Sequence, residues 1–168
     1  KAFDIPHMAT GDRFLMIDSD VLFFRKPTEI LKWVSDSNDS SCWFNRDPQE
    51  PAPISLEAAR EELGIELWSQ VNSGLCLLNR SIIRFPQFET WICHPAIVTG
   101  QAWRTEQTLL ALAASQNGRG GLLPEIYAVT LESKVAEGAT ARHYVGAVRN
   151  HFFDEGIGKL KSVLLESR

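Results

Sequence analysis

Two carboxylates interrupt an apolar run near the start of this chain. Residues 13–24 read RFLMIDSDVLFF, so Asp18 and Asp20 stand two apart between hydrophobic segments. Like charges so close repel, and burying them without a partner is costly. Side chains two apart on an extended chain point the same way, so both carboxylates can face one point. A divalent cation there would cancel their repulsion, and hard oxygen ligands suit Mg²⁺ or Mn²⁺. The plainer alternative is that one aspartate caps a turn and the other is solvated.

The elements that would position this pair can be read from pattern. Residues 14–17 are all apolar, which suits a strand covered on both faces. Thr28 can cap a helix running through Lys32 and Trp33. Residues 41–45, SCWFN, read as a second strand, and 47–54, DPQEPAPI, as a proline-rich loop. Ser55 starts a helix that Gly64 ends. Residues 74–78, GLCLL, are another short strand, and 85–93 look helical with aromatic residues facing the core. Thr105 caps a strong helix ended by Asn117 and Gly118, and 118–121, GRGG, form a flexible turn. Residues 122–130, broken by Pro124, are an edge strand or loop. Residues 141–145 make a last short strand, and 157–165 a final helix. Alternating strands and helices predict an α/β domain with a mixed, mostly parallel sheet and flanking helices.

Composition bounds the function. The 168 residues suit one domain, 1–168, and 44% hydrophobic content is enough for a core. A net charge of -4 disfavours nucleic acid or an anionic membrane as partner. No apolar run approaches the roughly 20 residues of a membrane span. Cys42, Cys76 and Cys93 form no zinc pattern, and their odd count points to a reducing, cytoplasmic compartment. Cys76 lies in an apolar run and reads as a small core residue. The matches to N-x-S/T at Asn38 and Asn79 carry little weight.

The run FLMIDSDVLFFRKP resembles the D-x-D strand of nucleotide-sugar glycosyltransferases with the A-type fold, and is most similar to their retaining, family-8-like group. Three further segments resemble that group in order: VNSGLCLLN at 71–79, TEQT at 105–108 and HYVGAVR at 143–149. The resemblance implies a metal, Mn²⁺ or Mg²⁺, held by Asp18, Asp20 and His143 on the diphosphate of a nucleotide-sugar donor. Gly146 and Arg149 would approach that diphosphate; the family more often has lysine where Arg149 stands. Asn72, Ser73 and Gly74 would line the sugar pocket. Asn72 and Ser73 could equally be a turn before a strand. Glu106 would touch the donor sugar, or simply complement a helix dipole. Gln107 would lie near the reacting carbon as the catalytic residue. Thr108 replaces a second acid often found there. Trp43 and Trp103 could stack on sugar rings, although large aromatics more often serve the core. The acceptor, unknown, would meet variable loops such as 46–55 and 118–125.

In this fold the base and ribose are held mainly by strands that precede the D-x-D segment. The chain opens on Lys1, close before that segment, and reads as a piece of a transferase lacking the nucleotide-binding strands. A half sheet would leave an exposed edge, so pairing with another copy or a partner is expected. Two other readings compete. A haloacid-dehalogenase-type phosphatase would use Asp18 as nucleophile and Asp20 as acid/base. It needs a late acidic pair near a strand end, and Asp154 with Glu155 instead precedes a helix. A transferase-like binding or structural module would do no chemistry.

Overall fold

Four strands form the main sheet in the order β1-β4-β3-β5. They are β1 (Arg13–Ile17), β4 (Val71–Asn79), β3 (Cys42–Arg46) and β5 (Gly120–Leu122). In this computed structural model, which describes residues 2–50, 52–99 and 102–166, β4 runs antiparallel to both β1 and β3, while β5 is parallel to β3. β1, β3 and β5 therefore share one direction and β4 opposes them. The domain has a mixed sheet with flanking helices, as the alternating pattern predicts, but the sheet is not mostly parallel: among the described residues only β3 and β5 pair in parallel.

A second, two-stranded ribbon pairs β2 (Val21–Phe23) antiparallel with β6 (Ala141–His143). One of its faces packs on the main sheet, where Val21 and Ala141 join Leu75 and Leu77. Its other face, with Leu22, Phe24 and Tyr144, packs on the C-terminal segment through Phe152 and Leu160. The opposite face of the main sheet carries the larger core. There Met16, Phe44, Cys76 and Leu78 meet α3 (Leu56–Leu63), α4 (Phe85–Ile92) and α6 (Ala102–Asn117). The remaining helices are α1 (Asp4–Met8), α2 (Thr28–Ser35), α5 (Pro95–Val98) and α7 (Gly158–Glu166). No helix among the described residues is long and apolar enough to cross a membrane.

Some local signals act as expected. The Ser55 side chain accepts from Ala58 N–H at the start of α3, and Gly64 ends it in the left-handed conformation at φ 68°. Cys76 is fully buried, and Phe88 and Trp91 face the core from α4. Asn79 uses its side chain to cap a short 3₁₀ turn.

Other expectations are corrected. β1 is an edge strand, not one covered on both faces: Leu15 and Ile17 are 37% and 44% exposed. Thr28 makes no cap; Pro27 holds the cap position of α2. Thr105 lies inside α6, which already includes Ala102, and its Oγ1 donates to the Ile97 carbonyl. The GRGG segment is not a free turn, because its last two glycines begin β5. At Gly120, φ 112°, a Cβ would collide with the Cys42 carbonyl, so glycine lets β5 lie against β3.

Candidate functional site

β1 ends at Ile17, and the chain reverses tightly from Asp18 to Val21, whose N–H donates to the Asp18 carbonyl at 3.1 Å. A turn, not strand alternation, therefore brings the two carboxylates together. Asp18 is anchored by its own N–H to the Gly74 carbonyl at 2.7 Å. Past Asp20 the chain enters β2, where Val21 stands opposite His143. Tyr144 N–H donates to the Asp20 carbonyl at 2.8 Å. This short ladder delivers a histidine from the far end of the sequence to the acidic turn.

His143 Nε2 lies 3.1 Å from Asp20 Oδ1 and 3.6 Å from Asp18 Oδ2. Ligand atoms from Asp18, Asp20 and His143 all lie within 4.8 Å of one another. Two carboxylates and an imidazole converging on one point form a donor set suited to a divalent cation. The histidine is buried, and the carboxylates are 22% and 16% exposed, so the cluster opens to solvent on the acidic side.

A bulge in β4 shapes the neighbouring wall. Phe44 pairs with Cys76, but the next residue, Asn45, pairs with Asn72. The extra residues 73–75 shift the strand's phase. Asn72 thereby leaves the face of Cys76 and Leu78 and reaches His143 Nδ1, with its Oδ1 at 2.9 Å. The same Oδ1 accepts from Gly74 N–H, and Asn72 Nδ2 donates to Asp47 Oδ2 at 2.8 Å. Ser73 turns to α6: its N–H and Oγ both donate to Gln107 Oε1, at 2.8 and 3.3 Å. Gly74 lies under the imidazole, where a Cβ would strike its Cε1 and Nδ1. Gln107 is buried, and its Nε2 has no hydrogen-bond partner among the described residues.

The remaining candidates lie around this centre. Glu106 and Gln107 stand a turn further into α6 than their sequence positions suggest. Glu106 Oε1 accepts from Ala2 N–H at 2.5 Å. Gly146 is exposed and opens a short 3₁₀ turn, with nothing within 4 Å of where a Cβ would stand. Arg149 is 67% exposed and reaches Asp20 Oδ2 through Nη2 and Nε at 3.0 and 3.2 Å. Trp43 is half-buried, packs against Leu75, Leu77 and their neighbours, and donates from its indole to Ser41 Oγ. The Trp103 side chain lies outside the described residues. Glu155 is drawn away from the acidic turn by Tyr144, Val135 and Arg142, so it and Asp154 form no late metal pair there.

Sequence reasoning missed Asp47, hidden in a proline-rich loop with nothing to single it out. It also missed β2, whose partner lies about 120 residues away.

No protein-family model and no curated protein matches the chain. Solved structures do. A bifunctional glycosyltransferase, WbbM, superposes with a TM-score of 0.53 at 12% identity over 89% of this chain and 32% of its own. Mouse xyloside xylosyltransferase 1 superposes with a TM-score of 0.51 at 10% identity over 84% of this chain and 60% of its own. What is shared at such identity is the fold: a partial A-type glycosyltransferase fold. The chain spans about a third and three fifths of these two structures' lengths.

Proposed function

We propose that this chain is the metal- and sugar-binding portion, residues 1–168, of a glycosyltransferase using a nucleotide-diphosphate sugar. The observation that carries the reading is the convergence of Asp18, Asp20 and His143 inside that fold. The donor set fits Mn²⁺ or Mg²⁺: two hard carboxylates and one imidazole, partly desolvated. Such an ion, when bound, neutralises the diphosphate as the sugar's C1–O bond breaks. Arg149 would then turn from Asp20 to the phosphate oxygens, a forked cation on an anion. Gly146 leaves open space beside them.

Ser73 and Gln107 form the inner wall. Holding Gln107 Oε1 by Ser73 fixes the carboxamide, and its unpartnered Nε2 would be left to donate to a hydroxyl of the donor sugar. The nucleoside diphosphate would leave with the electron pair of the broken C1–O bond, and an acceptor hydroxyl would form the new C1–O bond as its proton passes to a phosphate oxygen of that leaving group. A retaining outcome and the family-8 likeness belong to the same proposal, as does a cytoplasmic setting. The outer edge of β1, with Leu15 and Ile17 exposed, is the surface we assign to self-association. Light scattering that finds only monomers would remove that part.

Titration with Mn²⁺, with and without a uridine diphosphate sugar, tests the whole. Mn²⁺ binding that Asp20→Asn abolishes, and sugar-nucleotide binding that requires Mn²⁺, are expected. Neither binding would favour a non-catalytic module. Phosphate release from a simple ester, lost in Asp18→Asn, would favour the phosphatase.

A further inference from the structure

The Asn72 carboxamide is held at both ends by groups of opposite hydrogen-bonding character. The Gly74 N–H can only donate, and it faces Oδ1 at 2.9 Å. The Asp47 carboxylate, when ionised, can only accept, and it faces Nδ2 at 2.8 Å. Oxygen and nitrogen of the amide are thereby assigned. Oδ1 is an acceptor, and it lies 2.9 Å from His143 Nδ1. The imidazole must then carry a hydrogen on Nδ1 to make this bond. Nε2 faces Asp18 and Asp20, and with no ion between them it too can donate, to Asp20 Oδ1 at 3.1 Å. Asn72 and His143 are 5% and 6% exposed, so water is poorly placed to replace either partner.

We infer that Asn72, locked by Asp47, is a positioning residue for His143, keeping a hydrogen on Nδ1 and aiming Nε2 at the acidic turn. The sequence suggested a sugar contact for Asn72; its amide atoms are committed elsewhere. The β4 bulge is what makes this possible, since an unbulged strand would carry Asn72 into the larger core with Cys76 and Leu78. The use of Nε2 as a bare ligand nitrogen rests on the metal reading above. The Nδ1–H bond to Asn72 does not, because it needs only the two side chains.

The test separates the two. ¹⁵N NMR of the metal-free protein reads whether His143 Nδ1 carries a hydrogen bonded to Asn72. Calorimetric titration with Mn²⁺ alone reads the cation site. The wild-type protein is expected to show a hydrogen-bonded Nδ1–H. Asn72→Leu, close in size but without an acceptor, should lose that signal, since Asp20 alone then draws the ring hydrogen to Nε2, and should weaken Mn²⁺ binding about 10–100-fold. The exchange Asn72→Asp with Asp47→Asn should restore both, since a carboxylate at 72 still accepts from Gly74 and His143 and an amide at 47 now donates to it. A wild-type Nδ1 without a hydrogen overturns the inference whether or not the leucine variant folds. So does a leucine variant with an unchanged Nδ1–H signal. An Nδ1–H bond lost in Asn72→Leu and regained in the exchange upholds the positioning role. If that protein binds no Mn²⁺, the metal reading alone fails.

Discussion

Gly74 and His143 are in close contact: the imidazole occupies the space that a Cβ at position 74 would need. The clash falls on ring atoms Cε1 and Nδ1 of a buried side chain, which has nowhere easy to go. Gly74→Ala should therefore push the ring off the acidic turn. Overpacking of this kind costs about 1–3 kcal/mol. The loss of Mn²⁺ affinity should be about 10-fold or more, since a displaced ligand is worse than a loosened one. Calorimetry alongside a denaturation curve checks both. Unchanged affinity would mean that the ring has room that the structure denies it.

How far the site could be read in advance depended on how local its causes were. The α3 signals, Ser55 and Gly64, act within one turn of the backbone and were legible. The Asp18–Asp20 pair was legible as chemistry, but its mechanism was not, because a turn replaces the expected strand alternation. His143 came from resemblance to a family, not from its surroundings in sequence. The ladder that delivers it is three residues long and joins the two ends of the chain. The β4 bulge was invisible because it depends on how Asn45 and Asn72 pair, and nothing in either strand alone encodes that register. β5 was misread because glycine serves both flexible turns and close strand approach.

Arg149 and a cation would draw on the same carboxylate. Arg149 holds Asp20 Oδ2, while Oδ1 faces His143 Nε2. Its side chain is 67% exposed, so the pair adds little to stability. Arg149→Ala should leave Mn²⁺ affinity equal or slightly raised, because a competitor for Asp20 is gone. Binding of uridine diphosphate in the presence of Mn²⁺ should fall, by about 10-fold if one charge-assisted phosphate contact is lost. Paired titrations of metal and nucleotide check this. A parallel fall in both affinities would show that Arg149 holds Asp20 in place instead.

Glu155 is a structural acid. Its Oε2 accepts from Tyr144 Oη at 2.6 Å and lies 3.5 Å from Arg142 Nη1, while Oε1 accepts from Val135 N–H. Arg142 is 2% exposed, so removing Glu155 strips a counter-charge from a buried guanidinium. Glu155→Ala should cost about 3 kcal/mol, in the range for breaking a buried pair. Glu155→Gln should cost less, because it keeps the Tyr144 contact. Urea denaturation measures both. Equal, small effects would show that Arg142 finds its compensation elsewhere, for example at the Glu132 carbonyl to which it also donates.

Alkaline pH should loosen the sheet through Cys42. Burial between β3 and the helices is the largest cause raising its thiol from 9.0 to about 11; the bond from Asn79 N–H opposes that and nearby Asp39 adds to it. Below pH 9 the thiol is protonated whether the chain is folded or not, so it contributes no pH dependence. Between 9 and 11 the unfolded chain releases the proton while the native chain keeps it. Stability then falls as pH rises, by about 1.4 kcal/mol per unit at the steepest. Tyr127 and Tyr144 act with the same sign at higher pH. Burial first, then Glu29 and Glu155 respectively, raise their phenols above the ordinary 10.0. The interval from 9 to 10 is therefore where Cys42 stands out. Denaturation curves across that interval should slope downward for the wild-type protein and flatten in Cys42→Ala. A slope that survives the substitution would assign the alkaline loss to other groups.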